Sequence, residues 1–175
     1  ARQFYGCERL TSIDLSAWTV AASADVSSQF EGCGAIKVIG TAAGPGNLAI
    51  NASQSQTGVA TRARQFAGMV GLTSATLNNM TARTGTISGT TTTGGTALTS
   101  LFEGCTSVTT INFAGTISGN MTATDMARMF ANCKALTSLN MTGLSNKNMY
   151  SPTVSSSSDW AISGGHMAAM FAGAD

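Results

Sequence analysis

The stretch TDMARMFANCKALTSLNMTGL, residues Thr124–Leu144, is the clearest unit in this sequence, and other segments resemble it. Its first half places four apolar side chains at the i, i+3, i+4 and i+7 positions of one helical stripe: Met126, Met129, Phe130 and Cys133. The apolar period then changes to two at Leu139 and Met141. A period near 3.6 is typical of a helix, and a period of two is typical of a strand. The unit is therefore predicted to be a short helix followed by a short strand.

Further copies of this unit are anchored on six phenylalanines, spaced 26 to 41 residues apart: Phe4, Phe30, Phe66, Phe102, Phe130 and Phe171. The residue three positions later is Cys7, Cys33, Met69, Cys105, Cys133 and Ala174 in turn. The shared template is F-x-x-C-x-x-L-x-x-L-x-L, and its apolar positions are predicted to face inward. One helix and one strand cannot bury an apolar face alone, so a unit repeated at this length indicates a solenoid. We therefore expect an α/β solenoid of about six coils, each with a short helix and one or two short parallel strands.

The segments between a predicted strand and the next helix carry a second apolar alternation. It occurs at Trp18–Val20, Leu48–Ile50 and Trp160–Ile162. The pentapeptide GTISG also occurs twice, and it places Ile87 and Ile117 at the same point of the repeat. These segments predict a second strand in each coil, and the two isoleucines are expected to stack on each other.

Length and composition limit the partners that this chain is expected to bind. At 175 residues it suits one domain, 1–175, with a sizeable core. Only 10% of the residues are charged and the formal net charge is +1, so no basic field is present to attract nucleic acid. No apolar run approaches the roughly 20 residues of a membrane span, so membrane insertion is not expected. Because both ends fall inside a repeat without a polar cap, the chain is expected to be partial or processed.

Two phrases, FYGCERLTSIDLSAW and DMARMFANCKALTSLNMTGL, resemble the BspA-like leucine-rich repeat family. They are similar to the M-x-x-M-F-x-x-C-x-x-L-T-S-L-D-L form of bacterial and mycoplasma surface proteins, and the likeness extends as repeats over most of the chain. Met69 in place of a cysteine and the polar loop insertions depart from that pattern. The resemblance implies a right-handed leucine-rich-repeat solenoid in a secreted or surface-exposed protein, often an adhesin. Similar repeats also occur in viral and phage proteins.

Few residues are suited to catalysis or metal binding. His166 is the single histidine, and no motif supplies the nucleophile and the orienting acid that a catalytic base needs. The four cysteines stand one per coil, which does not suit a zinc site, and they are expected to be reduced thiols that fill a core layer. Glu31 and Glu103 look like a glycosidase carboxylate pair, but they occupy equivalent repeat positions. We therefore expect a non-enzymatic protein with no catalytic residue, no metal site and no cofactor.

One set of side chains is a candidate binding site. The middle residue of an L-x-L strand faces outward, so stacked strands are expected to align these residues in a row. The expected row is Asp14, Gly40, Thr76, Asn112 and Asn140, with Ser12, Ser74, Thr110 and Ser138 beside it. A polar, nearly uncharged ladder of this kind suits a glycan or a protein edge. An ordinary solvated face and recognition by the loops are the alternatives.

The sequence thus favours a non-enzymatic extracellular attachment module whose partner is a glycan or a host protein. The alternative is a structural subunit of a virion, such as a fibre or decoration protein, or of an extracellular filament. In that case the partners are neighbouring copies in the assembly. Both functions place the chain outside the cell, at a cell surface or at a virion surface, and the Thr-, Ser- and Gly-rich composition suits both.

Overall fold

The computed structural model describes residues 1–18, 24–50, 61–78, 86–88, 91–93, 98–114, 126–142 and 169–174. The strands in this part of the chain are β1 (Ile13–Leu15), β2 (Val38–Gly40), β3 (Asn47–Ile50), β4 (Ser74–Asn78), β5 (Thr86–Ser88), β6 (Thr91–Thr93), β7 (Thr110–Ala114) and β8 (Ser138–Asn140). Six of them form one parallel sheet in the order β1-β3-β2-β4-β7-β8. The described residues contain no α-helix.

The second half of each repeat forms the strands that the sequence predicts. At the centre of the sheet, Ala75 stands opposite Ile111 and Leu77 stands opposite Phe113. These four side chains are at most 2% exposed. The parallel sheet with an apolar inner face is therefore confirmed. The prediction of parallel pairing is wrong for β5 and β6, which pair antiparallel outside the main sheet.

The helix predicted around each phenylalanine is wrong. These segments are instead runs of tight turns, here called the Phe turns, at residues 2–6, 28–32, 64–68, 100–104, 128–132 and 169–173. The first and last residue of every Phe turn has a positive φ, between 53° and 78°. A right-handed helix excludes positive φ, so a chain of turns produces the i, i+3 and i+4 spacing of the apolar residues.

The physical reason lies in the last residue of each Phe turn, two positions after the phenylalanine. It is glycine in five of these turns and Asn132 in the other. Glycine adopts positive φ without the Cβ clash that other residues incur, and asparagine is the next most tolerant. A glycine at the same place in nearly every repeat therefore favours a left-handed turn over a continuing helix.

Backbone hydrogen bonds of the Phe turns join consecutive repeats. The amides of Phe30 and Gly32 donate to the carbonyl oxygens of Gln65 and Ala67, both at 2.9 Å. The intervening and following amides close turns within the repeat: Glu31 N donates to Ser28 O at 3.4 Å, and Cys33 N donates to Phe30 O at 3.0 Å. An α-helix would use all of these groups internally. Here, consecutive repeats are bonded on the turn side as well as through the sheet.

The core lies between the Phe turns and the sheet, and stacked aromatic rings run through it. Ring centroids are 6.0 Å apart for Phe30 and Phe66, 5.4 Å for Phe66 and Phe102, and 6.3 Å for Phe102 and Phe130. All four side chains are at most 1% exposed, which confirms the predicted column. Phe113 packs edge-on against two of these rings and joins the column to the sheet.

A threonine ladder runs along the start of the strands. Thr73 Oγ1 donates to the Lys37 carbonyl oxygen at 3.0 Å, and Thr109 Oγ1 donates to the Thr73 carbonyl oxygen at 3.1 Å. Thr137 Oγ1 continues the pattern to the Thr109 carbonyl oxygen at 3.3 Å. The hydroxyl of each repeat thus satisfies a carbonyl of the repeat before it.

A second polar ladder joins the first three repeats, and it is exposed at Gln3 and buried from Gln29 onward. Gln29 Nε2 donates to Gln3 Oε1 at 2.6 Å, and Gln65 Nε2 donates to Gln29 Oε1 at 3.1 Å. Arg62 Nη1 then donates to Gln65 Oε1 at 2.9 Å, and burial lowers the pKa of Arg62 to about 10. The equivalent position in the fourth repeat is Leu101, so the ladder gives way to apolar packing there.

Strand β3 enters the main sheet between the strands of the first two repeats. Leu48 stands opposite Ile13 on one side and opposite Ile39 on the other. The prediction of a strand at Leu48–Ile50 is therefore confirmed, although it lies in the same sheet. On the turn side nothing is inserted, because Phe4 N donates directly to Gln29 O at 2.9 Å. On the sheet side, one additional strand therefore separates β1 of the first repeat from β2 of the second.

Of the other predicted second strands, the one at Ile87 is described and forms β5. Val20, Ile117 and Trp160–Ile162 lie outside the described residues. The predicted stacking of Ile87 on Ile117 therefore stays a prediction.

Candidate functional site

The outward face of β4, β7 and β8 carries two rows of polar side chains in register. One row pairs Ser74 with Thr110 and Thr110 with Ser138, and the other pairs Thr76 with Asn112 and Asn112 with Asn140. We call these six residues the polar face. Their hydroxyl and amide groups are uncharged, and adjacent strands place them about 4.8 Å apart. The structure therefore brings together six of the nine residues that the sequence placed in or beside the expected row.

Asp14, the first residue of the expected row, lies away from the polar face. The inserted strand β3 places Ala49 opposite Asp14 on one side and opposite Gly40 on the other. The expected row from Asp14 through Gly40 to Thr76 is therefore interrupted, and that part of the prediction is wrong. The sequence predicted a strand at Leu48–Ile50, but the repeat template does not show that this strand pairs between β1 and β2.

Two of the predicted ladder residues have a local structural role. Asn140 Oδ1 accepts hydrogen bonds from Thr142 N at 2.9 Å and from Thr142 Oγ1 at 2.7 Å. Asp14 Oδ1 accepts from Ser16 N at 2.9 Å, and the hydrogen bonds from Ser16 lower the pKa of Asp14. Side-chain acceptors of this kind stabilise the turn that follows a strand. These two exposed residues therefore stabilise the turns that follow β1 and β8.

Asn112 differs from them, although it occupies the middle of the same row. Its side-chain Oδ1 is buried and has no hydrogen-bond partner within the described part of the chain. A buried acceptor without a partner costs roughly 1 to 3 kcal/mol. Asn112 is thus expected to lower the stability of the fold, because its buried acceptor forms no hydrogen bond with the described residues.

A cleft of about 450 Å³ opens beside β1, next to the loop that leads into β3. Its walls come from β1 and the segment before it, and from the loop between β2 and β3 with the first residue of β3: Thr11, Ser12, Ile13, Asp14, Gly44, Pro45 and Asn47. Asn47 Nδ2 donates to the Ala42 carbonyl oxygen at 3.1 Å and so fixes this loop. Asp14 and Ser12 therefore belong to the cleft, and the predicted site is divided into two surfaces.

Charged side chains form a row along the Phe turns that the sequence analysis did not identify as a site. Arg64 contacts Glu31 at 2.7 Å and Glu103 at 3.3 Å, and Arg128 also pairs with Glu103. Arginine precedes the phenylalanine by two positions in alternate repeats, and glutamate follows it by one in those between. This alternation of arginine and glutamate is the sequence pattern from which the ion pairs could have been predicted. It explains Glu31 and Glu103 as structural ion-pair partners.

The ion pairs set the pKa of both carboxylates. Burial acts to raise the pKa of Glu31, but hydrogen bonds from Arg64 and Ser28 and the nearby arginine charges outweigh it and lower the pKa. The hydrogen bond from Arg128 is the main reason that the pKa of Glu103 is lowered. Both carboxylates are therefore ionised at neutral pH and stabilise the fold only in that state.

We expect Glu103→Gln to reduce the acid sensitivity of the fold. The folded-state pKa of Glu103 lies below its ordinary value of 4.5, so its contribution is present above that pH and is lost as pH falls through the folded pKa. The expected effect on the unfolding free energy is small, since Arg64 and Arg128 are nearly half exposed and solvent screens their charges. Urea titrations between neutral and acid pH measure it. An unchanged acid slope in the variant would exclude the ion-pair role.

The cysteines form a column next to the phenylalanine column. Cys33 Sγ donates to the Phe4 carbonyl oxygen at 3.0 Å, and Cys133 Sγ donates to the Phe102 carbonyl oxygen at 3.2 Å. Cys105 does the same to Phe66, and all three are fully buried and reduced. Cys7 is also reduced but exposed, so its predicted inward position is wrong: no repeat precedes it in the described structure. The predicted core-filling thiols are otherwise confirmed.

Thiol reactivity is expected to follow this burial. Burial raises the pKa of Cys33 and of Cys133 to about 11 and also raises the pKa of Cys105, so little thiolate exists at mildly alkaline pH. Iodoacetamide should therefore modify Cys7 rapidly and the other three only after unfolding, with four thiols in total. Rapid reaction of more than one thiol in the folded protein, or fewer than four after denaturation, would contradict this arrangement.

No family model, curated protein or solved structure matches this chain. Within the described ranges, no helix is long and apolar enough to cross a membrane. The same part of the chain holds no cluster of three or more histidine, cysteine or acidic side chains that suits a metal ion. The features that bear on function are therefore the polar face, the cleft and the repeat itself.

Proposed function

We propose that this chain is a leucine-rich-repeat solenoid of the BspA-like type. The proposal is supported by the parallel sheet, the in-register apolar columns and the backbone bonds that join each repeat to the next on two sides. It is also supported by the phrases in the sequence that resemble this family. Turns take the place of the family's expected short helices on the side opposite the sheet.

We further propose that the protein is a non-enzymatic extracellular attachment module. The observation that carries this proposal is the polar face, where hydroxyl and amide groups stand in register on three adjacent strands. Such a regular array of uncharged donors and acceptors suits the hydroxyl groups of a glycan or the backbone of a partner protein. The cleft beside β1 offers a second polar surface for the same partner.

The test combines binding and stability measurements on the polar face. The parent chain is screened on a glycan microarray and against cell-surface protein, and any binder is then titrated against the double variant Thr110→Val with Asn112→Leu. We expect each lost ligand hydrogen bond to weaken binding by about 1 to 3 kcal/mol. The unfolding free energy of Asn112→Leu should stay level or rise by about 1 kcal/mol, because a buried acceptor without a partner is removed.

Thr106→Val is the matched control for this test. Thr106 is an exposed threonine of the same repeat, but it follows the Phe turn instead of facing outward from β7. We expect this variant to bind like the parent chain. Normal binding by the double variant would reject the polar face as the site, and loss of binding on deletion of Ser155–Ser158 would then assign recognition to a loop. Absence of any binder in the screen would reject the attachment function.

A second candidate function is a structural subunit of a virion or of an extracellular filament. One observation favours it: four large apolar side chains of the described residues are about half exposed, namely Tyr5 (51%), Trp18 (47%), Val70 (52%) and Phe171 (49%). Exposed aromatic side chains are enriched at contacts between protein subunits. Both functions are compatible with one chain, because an assembly of copies also multiplies its binding face.

A further inference from the structure

The cleft beside β1 encloses polar residues that stand on an open sheet face in other repeats. Ser12 and Asp14 belong to one wall, and the opposite wall is the loop leading into β3, with Pro45 and Asn47. Strand β3 pairs in register with β1, which brings the two walls together. The cleft volume of about 450 Å³ lies within the range of roughly 300 to 1,000 Å³ that is typical of small-molecule sites.

Hydrogen bonds order the loop wall of this cleft. Asn47 N donates to Gly44 O at 3.1 Å, and Asn47 Nδ2 donates to Ala42 O at 3.1 Å. Lys37 N donates to Gly46 O at 2.7 Å, which ties the end of the loop to the residue before β2. A wall that is already ordered reduces the conformational entropy lost when a ligand binds. The cleft is therefore largely preformed.

Most groups that line the cleft are uncharged. Thr11 and Ser12 contribute hydroxyl groups, and Asn47 contributes an amide. Pro45 and Ile13 add small apolar surfaces. A few polar groups beside an apolar surface are typical of a small-molecule site. This mixture suits a sugar ring, which carries hydroxyl groups around its edge and C–H groups on its faces.

Among the described residues that line the cleft, Asp14 is the charged one. Hydrogen bonds from Ser16 lower the pKa of Asp14, so its carboxylate is ionised at neutral pH. A carboxylate has roughly four acceptor sites, and the bonds from Ser16 use only part of them. Two adjacent ring hydroxyls of a sugar can donate to the others, and such bonds are stronger when the acceptor is ionised. The same negative charge disfavours a sugar that carries its own carboxylate.

We propose that this cleft binds one uncharged sugar unit of a glycan. Two adjacent ring hydroxyls donate to the Asp14 carboxylate, and a face of the ring packs against Pro45. This inference rests on the attachment function proposed above, and it narrows the partner to a glycan that contains neutral sugars.

NMR titration of the full, isotopically labelled chain with the methyl glycosides of glucose, galactose and mannose tests this proposal. We expect at least one of these hexosides to shift the amide signals of Ser12, Asp14 and Asn47 in a saturable way at millimolar concentration. The methyl uronide of the same sugar should bind several-fold more weakly, because Asp14 repels its carboxylate.

Asp14→Asn should weaken the binding of that hexoside by about tenfold or more, since an ionised acceptor is lost. Asparagine can keep the turn after β1, as Asn140 does after β8 by accepting from Thr142 N. Asp25→Asn is the matched control, because Asp25 is also exposed and accepts from Ser27 N at 2.8 Å but does not line the cleft. We expect the control to bind like the parent chain, and melting curves of both variants check that they remain folded.

The possible results separate this inference from the proposed function. Absence of saturable shifts at the cleft with all three hexosides overturns the inference, as does unchanged hexoside binding by Asp14→Asn or tighter binding of the uronide. Cleft shifts with N-acetyl-lysine amide alone would overturn it in favour of a cationic side chain of a protein. Shifts at Thr76 and Thr110 without shifts at the cleft would also overturn it, but they would leave the polar face as the binding site.

Discussion

Phe102→Ala is expected to lower the unfolding free energy by about 3 to 5 kcal/mol, the largest effect of any single substitution considered for this protein. The side chain is fully buried and its ring stacks between Phe66 and Phe130, with Phe113 against its edge. Truncation removes contacts with three rings at once. Because neighbouring repeats are held in register by backbone bonds on both sides, the surrounding layers cannot close over the cavity.

Chemical denaturation of the parent chain and the variant measures this loss. Phe171→Ala is the matched control, since it truncates the same column at its half-exposed end and should cost far less at low protein concentration. If the two truncations cost the same, the phenylalanine column is not the centre of the core. A cost below about 1 kcal/mol for Phe102→Ala, typical of a surface site, would contradict the stacked arrangement.

Gly68→Val is expected to cost about 1 to 3 kcal/mol through backbone strain. Gly68 has a φ of +65°, a conformation that a β-branched residue avoids. Crowding is not the cause, because an added Cβ would meet no atom closer than the Gly32 nitrogen at 3.7 Å. The substitution therefore tests the left-handed turn itself, which is the feature that distinguishes this structure from the predicted helix.

Gly40→Val is the control for this second prediction. Gly40 lies in β2, its φ is not in the left-handed region, and an added Cβ would meet nothing within 4 Å. Valine favours strands, so this variant should be as stable as the parent chain or more so. Equal costs at Gly68 and Gly40 would show that positive φ is not required in the Phe turn.

The strand half of the repeat was predictable from the sequence, and the turn half was not. Alternation at Ile111 and Phe113 or at Leu139 and Met141 identifies strands, because a period of two has few other sources. The spacing of Met126, Met129, Phe130 and Cys133 indicated a helix, since consecutive turns bury side chains at the same intervals. The neglected signal was the glycine two positions after five of the six anchoring phenylalanines, such as Gly68 and Gly104, whose repetition marks positive φ.

The candidate site was predictable in its centre and not at its edge. Register across β4, β7 and β8 follows from the repeat alone, so Thr76, Asn112 and Asn140 were correctly aligned. The position of Asp14 depends on the pairing of β3 between β1 and β2, which the repeat template does not contain, and the predicted position was wrong. The hydrogen bonds of Asn140 to Thr142 and the unpartnered Oδ1 of Asn112 depend on side-chain geometry that a repeat pattern does not contain.

Each Phe turn forms backbone hydrogen bonds to the next repeat and does not form a helix. Hydrogen-bond scalar couplings in an isotopically labelled sample identify the acceptor of each amide directly. We expect the amide of Phe66 to couple to the carbonyl of Leu101, in the next repeat, and the amide of Gly68 to couple to the carbonyl of Glu103. Coupling of the Phe66 amide to the carbonyl of Arg62, four residues earlier, is the signature of an α-helix and would contradict this structure.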